Sequence, residues 1–445
     1  MPTAADRQGL AMTGADATCA ALYDRGTEGF LCYNGDPIGG IKQALEQRPD
    51  FVMGYLFIAM LNLTGMEPQS WRRAAKKLDQ AEALEMNSRE RQHLAAARAF
   101  GAGDFSGALA KLEALLLEWP RDILALQVGQ ILDFYCGDVR SMRDRVARRM
   151  HAWSRNDASY HGVLGLHAFG LEECGLYRHA EDEGQAAVGL NPENGWAVHA
   201  VAHVYEMESR PEAGLAWLRG TQEGWTRENF FQMHNWWHMA LCHLERDEDA
   251  AALALYDGPI MAARNGVILE QADAASLLWR LRLRGTDVGA RWQAVAEAWL
   301  PFVEEDIHAF NTAHGVMAFL ADERPKDLQA LLGKMEAAAA GESDNGRMER
   351  LVGLPLAKGL IAFEQGRYEE SIEHLAGLRS TAQLFGGSHA QRDIIDLTLL
   401  EASKRAGQQS LLKALVSERA ALRPDSGWVR RYLSALTVTA EPLTA

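Results

Sequence analysis

Two short stretches concentrate the residue types that could do chemistry. In "HAVAHVYE", His199, His203 and Glu206 stand at i, i+4 and i+7, on one face of a helix. In "HNWWH", His234 and His238 repeat the i, i+4 spacing one repeat later. Imidazoles with a carboxylate are the donor set that zinc or a similar borderline divalent metal prefers. Two such faces on adjacent helices would offer three or four imidazoles and Glu206 to one cation. The bland alternative is a polar helix interface in which the histidines hydrogen-bond to neighbours and hold nothing. Geometry separates the two: one shared centre needs nitrogens of at least three of these histidines within ~5 Å of a common point.

A third stretch, "FGGSHAQRD" (385–393), has a different logic. Gly386 and Gly387 precede a helix whose first free N–H groups could hold an anion. Ser388 is equally an ordinary N-cap. His389 and Asp393 are four residues apart, so Asp393 could orient the imidazole, and Arg392 adds a fixed cation. Ser388 and His389 are neighbours that point in different directions, which argues against a nucleophile–base pair made from them alone. The catalytic candidates are therefore His389, Asp393 and Glu206.

The elements that must position these groups are helical repeats. "RQHLAAARAFGAGDFSGALAKLEALLLEWP" lies over "GVLGLHAFGLEECGLYRHAEDEGQAAVGLNP", matching Gly103 with Gly175, Phe105 with Tyr177, Ala108 with Ala180 and Pro120 with Pro192. A helix ending at Gly, an aromatic plug, a small residue for close packing and a terminal Pro describe a helix–turn–helix unit of the tetratricopeptide type. Turn markers follow at Gly103, Gly137, Gly175, Glu208, Asp247, Gly285, Asp322, Gly366 and Gly407, with weaker units around Gly35 and Gly65. This predicts an all-α solenoid of about eleven helical hairpins with no strands. Residues 1–20 read as a flexible segment, 21–424 as the solenoid, and 425–445 as a capping helix with a frayed tail.

In solenoids of this type the first helix of each hairpin lines the concave face, and most of the 14 histidines fall in such helices. The register puts Trp236 in the core and turns Trp237 by ~100° toward the groove. Trp237 would then begin an aromatic wall, extended by Asp273 and Arg280 at i and i+7 of the next inner helix. The expected ligand-binding set is His199, His203, His234, Trp237, His238, Asp273, Arg280, His389 and Arg392.

The words "HNWWH" and "GGSHAQRD", with "HAVAHVYEMESRPEAGLAWL" and "DAASLLWRLRLRGTDVGARW" in the same order, resemble the tetratricopeptide repeat protein 38 family over approximately residues 20–430. The resemblance implies the solenoid fold, a scaffold role, and a superhelix tight enough for inner helices from His161 to His389 to surround one interior. It carries no established reaction onto these residues.

Composition sets the outer bounds. A chain of 445 residues, 48% hydrophobic and 24% charged, reads as a soluble protein too long for one compact core. The net charge of −15 argues against nucleic acid or an anionic membrane as partner. No signal peptide is visible at the start, and the apolar run 51–66 is shorter than a membrane span. Five widely spaced cysteines without a Cys-x-x-Cys pair suit reduced thiols and a cytoplasmic setting. Two functions stay open: a concave pocket for a peptide or small molecule, and a hydrolase or lyase with a metal-assisted or His/Asp acid–base site. A divalent metal such as zinc is the only cofactor suggested, and a homodimer stays open.

Overall fold

The first helix of most repeats is largely buried and cannot cover its own faces, so the chain stacks hairpin on hairpin until the faces are shared. The structure, a computed structural model, describes residues 3–438; the C-terminal tail expected beyond the last helix lies outside them. Among the described residues eleven hairpins follow one another. They pair α1 (Ala17–Cys32) with α2 (Gly39–Gln47), α3 (Val52–Thr64) with α4 (Pro68–Glu82), and α5 (Ser88–Gly101) with α6 (Phe105–Glu118). Next come α7 (Ile123–Tyr135) with α8 (Val139–Ala147), α9 (Tyr160–Glu173) with α10 (Tyr177–Leu190), and α11 (Gly195–Met207) with α12 (Pro211–Gly220), trailed by the short α13 (Gln222–Thr226). The remainder are α14 (Gln232–Glu245) with α15 (Asp249–Leu255), α16 (Ile268–Leu283) with α17 (Arg291–Trp299), and α18 (Ala309–Ala321) with α19 (Pro325–Ala339). After the short α20 (Asp344–Met348), α21 (Leu354–Glu364) pairs with α22 (Tyr368–Ala376) and α23 (His389–Arg405) with α24 (Gln409–Leu422); α25 (Gly427–Val438) follows. Apart from two short strands near the N-terminus, the described residues form an all-α solenoid of helical hairpins.

The turn inside each hairpin needs one left-handed residue. Gly103, Gly137, Gly175, Gly285, Gly366 and Gly407 supply it where expected, with φ between 66° and 81°. At three turns the left-handed residue sits one position beyond the expected marker: Met66, Ser209 and Glu323, at φ 52–54°. Asp and Asn then start several helices: Asp104, Asp122, Asp138 and Asn194 each accept a hydrogen bond from the backbone three residues on.

The N-terminal segment differs from expectation. Thr3–Ala5 and Ala11–Thr13 form an antiparallel two-stranded hairpin, and the first helix begins at Ala17. The hairpin is pinned from the side: Thr13 N donates to Glu90 at 2.7 Å, Arg89 donates to the Ala11 carbonyl at 3.2 Å, and Asp6 pairs with Arg89 at 3.5 Å. Met12 is fully buried. At the other end Gly427 N, at the start of α25, donates to Glu245 Oε2 at 2.6 Å, and Trp428 is buried under the Arg284 guanidinium.

The superhelix winds until distant repeats meet. The start of α23 docks on the end of α9, where His389 N donates to Glu173 Oε1 at 2.9 Å. Arg280 of α16 donates to the Ala390 carbonyl at 2.6 Å. From the other side, Asn34 pairs with Asn229, and Ile268 N donates to Glu67 at 2.9 Å. The inner helices thereby enclose a common interior. Among the described residues no helix is long and apolar enough to cross a membrane.

Candidate functional site

The inner helices α9, α11, α14 and α16 stand side by side, and their facing surfaces are polar where core packing would supply Leu and Ala. His199 and His203 project from α11 toward His234 and His238 of α14. Ligand atoms of all four imidazoles lie within 4.8 Å of one another. His234 Nε2 is 3.1 Å from His199 Nε2 and 3.2 Å from His238 Nε2. A tetrahedral metal with Zn–N bonds of ~2.0–2.1 Å would hold its nitrogens about 3.3 Å apart. The convergence required of a shared centre is present.

The outer nitrogens show how the cluster is oriented. His234 Nδ1 is 2.7 Å from Asp273 Oδ2, and His238 Nδ1 is 3.0 Å from Glu206 Oε2. With both carboxylates ionised, each Nδ1–H donates outward, and the two Nε2 lone pairs are left facing each other at 3.2 Å. That arrangement is repulsive unless a cation sits between them or Glu206 takes up a proton and reverses the His238 tautomer, and a carboxylate behind a ligating imidazole is the usual support of a metal-bound histidine. Glu206 thus faces the outer nitrogen of His238 and not the point where the imidazoles meet. His199 Nδ1 and both nitrogens of His203 are buried without a hydrogen-bond partner.

Burial sets the electrostatics. The imidazoles of His199, His203 and His238 are held well below their usual range, first by burial and then by the neighbouring imidazoles. They are neutral at physiological pH, as metal ligands must be. Burial pushes the Glu206 carboxyl up to about 7, against the pull of Arg423 and Arg280.

Trp237 requires a correction. It shares the His234 face, since it lies three residues on, but α16 covers it completely. Its Nε1 donates to Ser276 Oγ at 3.0 Å, its ring stacks on His234 at 5.2 Å, and the Arg280 guanidinium lies 5.4 Å from it. Trp237 and Arg280 therefore back the cluster and do not line the interior. Trp236, assigned to the core by the repeat register, is only half-buried and packs edge-on to Trp225 of α13 at 4.7 Å. His243 sits apart at the end of α14, bonded to Glu248 at 2.6 Å.

In front of His199, His203, His234 and Asp273 opens a cavity of about 380 Å³. Its wall is aromatic: Tyr33, Phe134, Tyr135, Phe169, Trp196 and Phe231 line it. Three carboxylates, Glu67, Glu270 and Asp273, face one guanidinium, Arg73. The residues from α1, α3 and α7 were missed in the sequence, because they lie up to about 200 positions from the histidines and no local spacing links them. Trp196, three residues before His199, was the one signal within reach.

The α23 stretch departs from its expectation. Asp393 does not orient His389; its carboxylate takes Arg419 at 2.6 and 2.8 Å. Against the upward push of burial, Arg419 and Arg423 hold Asp393 well below the usual carboxylate range. His389 Nε2 bonds to the Glu173 carbonyl at 3.0 Å. Ser388 caps the helix in a full capping box with Gln391. The anion at this helix N-terminus is the protein's own Glu173, and Arg392 donates to the Gly387 carbonyl and to Glu173. His389, Arg392 and Asp393 line a second cavity, of about 350 Å³, that holds none of the four clustered histidines.

No known family model matches the chain. Among solved structures it is similar to an IFIT1 monomeric mutant with Gppp-AAAA, at TM-score 0.40 and 13% identity over 96% of both chains. It is also similar to a chain of the Naa15/Naa10 assembly bound to HypK-THB, at TM-score 0.26 and 13% identity, covering 96% of this chain and 69% of that one. At these scores neither likeness bears on what this chain binds.

Proposed function

We propose that this chain is a metal-binding repeat protein whose inner helices hold a divalent first-row metal, zinc foremost, on His199, His234 and His238. The metal forms the floor of a cavity for a small, largely apolar ligand. The observation that carries the reading is the meeting of three Nε2 atoms at 3.1 and 3.2 Å, two of them turned inward by Asp273 and Glu206. The aromatic wall suits an apolar body, and the excess of carboxylates over cations disfavours an anionic one. A small molecule fits this enclosure better than an extended peptide. The words "HNWWH" and "GGSHAQRD" supply the histidines and the loop that closes the superhelix, and membership of the tetratricopeptide repeat protein 38 family belongs to the same reading. A reducing, cytoplasmic setting suits the five unpaired thiols.

Three imidazoles leave a metal position open toward the cavity, and this favours a second reading, a metal-assisted hydrolase or lyase. In that reading Glu206 and Asp273 position the ligands, and the metal supplies the Lewis acid.

The deciding experiment is elemental analysis of the full chain purified without a histidine tag, followed by thermal unfolding with and without added Zn²⁺, Mn²⁺ or Fe²⁺. At least one equivalent of metal and a raised melting temperature are expected. Protein that carries no stoichiometric metal and ignores all three ions overturns the reading.

A further inference from the structure

Beside the histidine cluster, α9 ends in two adjacent acids, Glu172 and Glu173. Glu172 is wholly buried, and neither of its carboxylate oxygens has a hydrogen-bond partner. Glu172 Oε2 lies 3.6 Å from His203 Nδ1. His203 is itself fully buried, with both nitrogens unpartnered. Glu173 completes the group: ligand atoms of Glu172, Glu173 and His203 lie within 4.8 Å of one another. Glu173 is steadied from outside by the His389 backbone N–H at 2.9 Å and by Arg392 at 3.5 Å.

Orphaned polar atoms are rare in a folded interior, because each costs its full desolvation penalty. Here four of them gather in one place, two carboxylate oxygens and two imidazole nitrogens. Burial, with Glu173 and Glu206 nearby, pushes the Glu172 carboxyl well above its usual range, so a proton can occupy one of these lone pairs; a divalent cation would satisfy the carboxylate oxygens and the imidazole lone pair together. We propose that Glu172, Glu173 and His203 hold a second divalent cation beside the first, making the floor of the cavity a two-metal centre. The proposal rests on the reading of His199, His234 and His238 as ligands of the first metal, which frees His203 for the second. Two carboxylates and one imidazole form a harder donor set than three imidazoles, suited to Mn²⁺, Fe²⁺ or Zn²⁺. Two-metal sites clamp the attacking and leaving oxygens of a displacement, so the ligand class narrows to a neutral ester or amide with an apolar remainder.

Metal stoichiometry tests it. The full chain, stripped with chelator, is reloaded with Zn²⁺ or Mn²⁺, passed over a desalting column, and weighed by native mass spectrometry. Wild type should hold two ions and Glu172→Gln one; Gln keeps the shape of the side chain and removes the anionic ligand. Cobalt-loaded Glu172→Gln should retain the visible absorption of the three-histidine site, which shows that this variant is folded. If it does not fold, Glu173→Gln provides the same comparison. One ion in wild type and one in the variant overturns the second site and leaves Glu172 as a protonated acid, with the first site intact. No ion in either overturns this inference together with the proposed function.

Discussion

The facing surfaces of α11 and α14 and the first turn of α23 use the same vocabulary, histidines near acids, and end in opposite states. At α23 the groups are accounted for: Ser388 caps the helix, Asp393 is closed on Arg419, and Arg392 bridges Gly387 and Glu173. Between α11 and α14 the imidazoles meet one another, with Asp273 and Glu206 behind two of them and three ring nitrogens left bare. Residue type does not separate the two regions. Whether each polar atom finds a structural partner does, and a bare buried group is where a ligand remains to be supplied.

Mutation should expose that difference. His234→Ala removes the nitrogen through which the other two are chained. It should weaken metal binding by more than the roughly 10–100-fold expected for losing a mere supporting partner. Isothermal titration with Zn²⁺ on the stripped chain measures it, and an unchanged affinity would return the cluster to a polar helix interface. Asp393→Asn should act the other way round. It leaves Arg419 buried without its anion, at a cost of about 3–5 kcal/mol in stability, while metal affinity stays as in wild type. Urea unfolding beside the same titration reads both.

The two adjacent tryptophans make a finer comparison within α14. Trp237→Ala empties a fully enclosed site and should cost about 3–5 kcal/mol. Trp236, half-buried against Trp225, should cost clearly less. Equal unfolding midpoints for the two variants would mean that α14 is rotated from the position described.

How far the sequence could be read follows the same line between local and distant contacts. The repeat was legible because a glycine must take the left-handed conformation at most of its turns. Where Met66, Ser209 or Glu323 takes that role, the marker was misplaced by one residue. The histidine face was legible because i, i+4 spacing is a property of the helix itself. Its aromatic wall was not, since Tyr33 and Phe134 arrive through the closing of the superhelix. Trp237 was placed on the correct side of α14, but the covering residue, Ser276, lies on another hairpin. The N-terminal strands gave no signal either: they are short and alanine-rich, held by Arg89 and Glu90 from about 80 residues away.

Protonation acts in opposite directions in the two regions: burial pushes the Glu206 carboxyl from its usual 4.5 up to about 7, whereas Arg419 and Arg423 hold Asp393 low against burial. The folded state binds the Glu206 proton more tightly than the unfolded state does. Its contribution to the stability of the metal-free chain is therefore complete below pH 4.5 and is lost as pH rises through about 7. Metal binding favours the opposite form, because His238 ligates best with an ionised carboxylate behind it. Affinity should rise with pH up to about 7 and then level, and Glu206→Gln should flatten both curves. A pH-independent affinity in wild type would show that Glu206 does not act on the site.

The smallest effect belongs to His389→Ala. Its imidazole is nearly half exposed, with 42% of the side chain accessible, and it makes one bond to the Glu173 carbonyl and one to Arg392. Losing them should cost about 0.5–1.5 kcal/mol, the net worth of an ordinary hydrogen bond. The contact that anchors Glu173 comes from the backbone N–H of residue 389, which alanine retains. Metal stoichiometry should therefore be unchanged and the melting temperature barely lower. If His389→Ala instead removed a metal ion, the imidazole itself would belong to the centre, and the boundary between the two regions would have to be redrawn through α23.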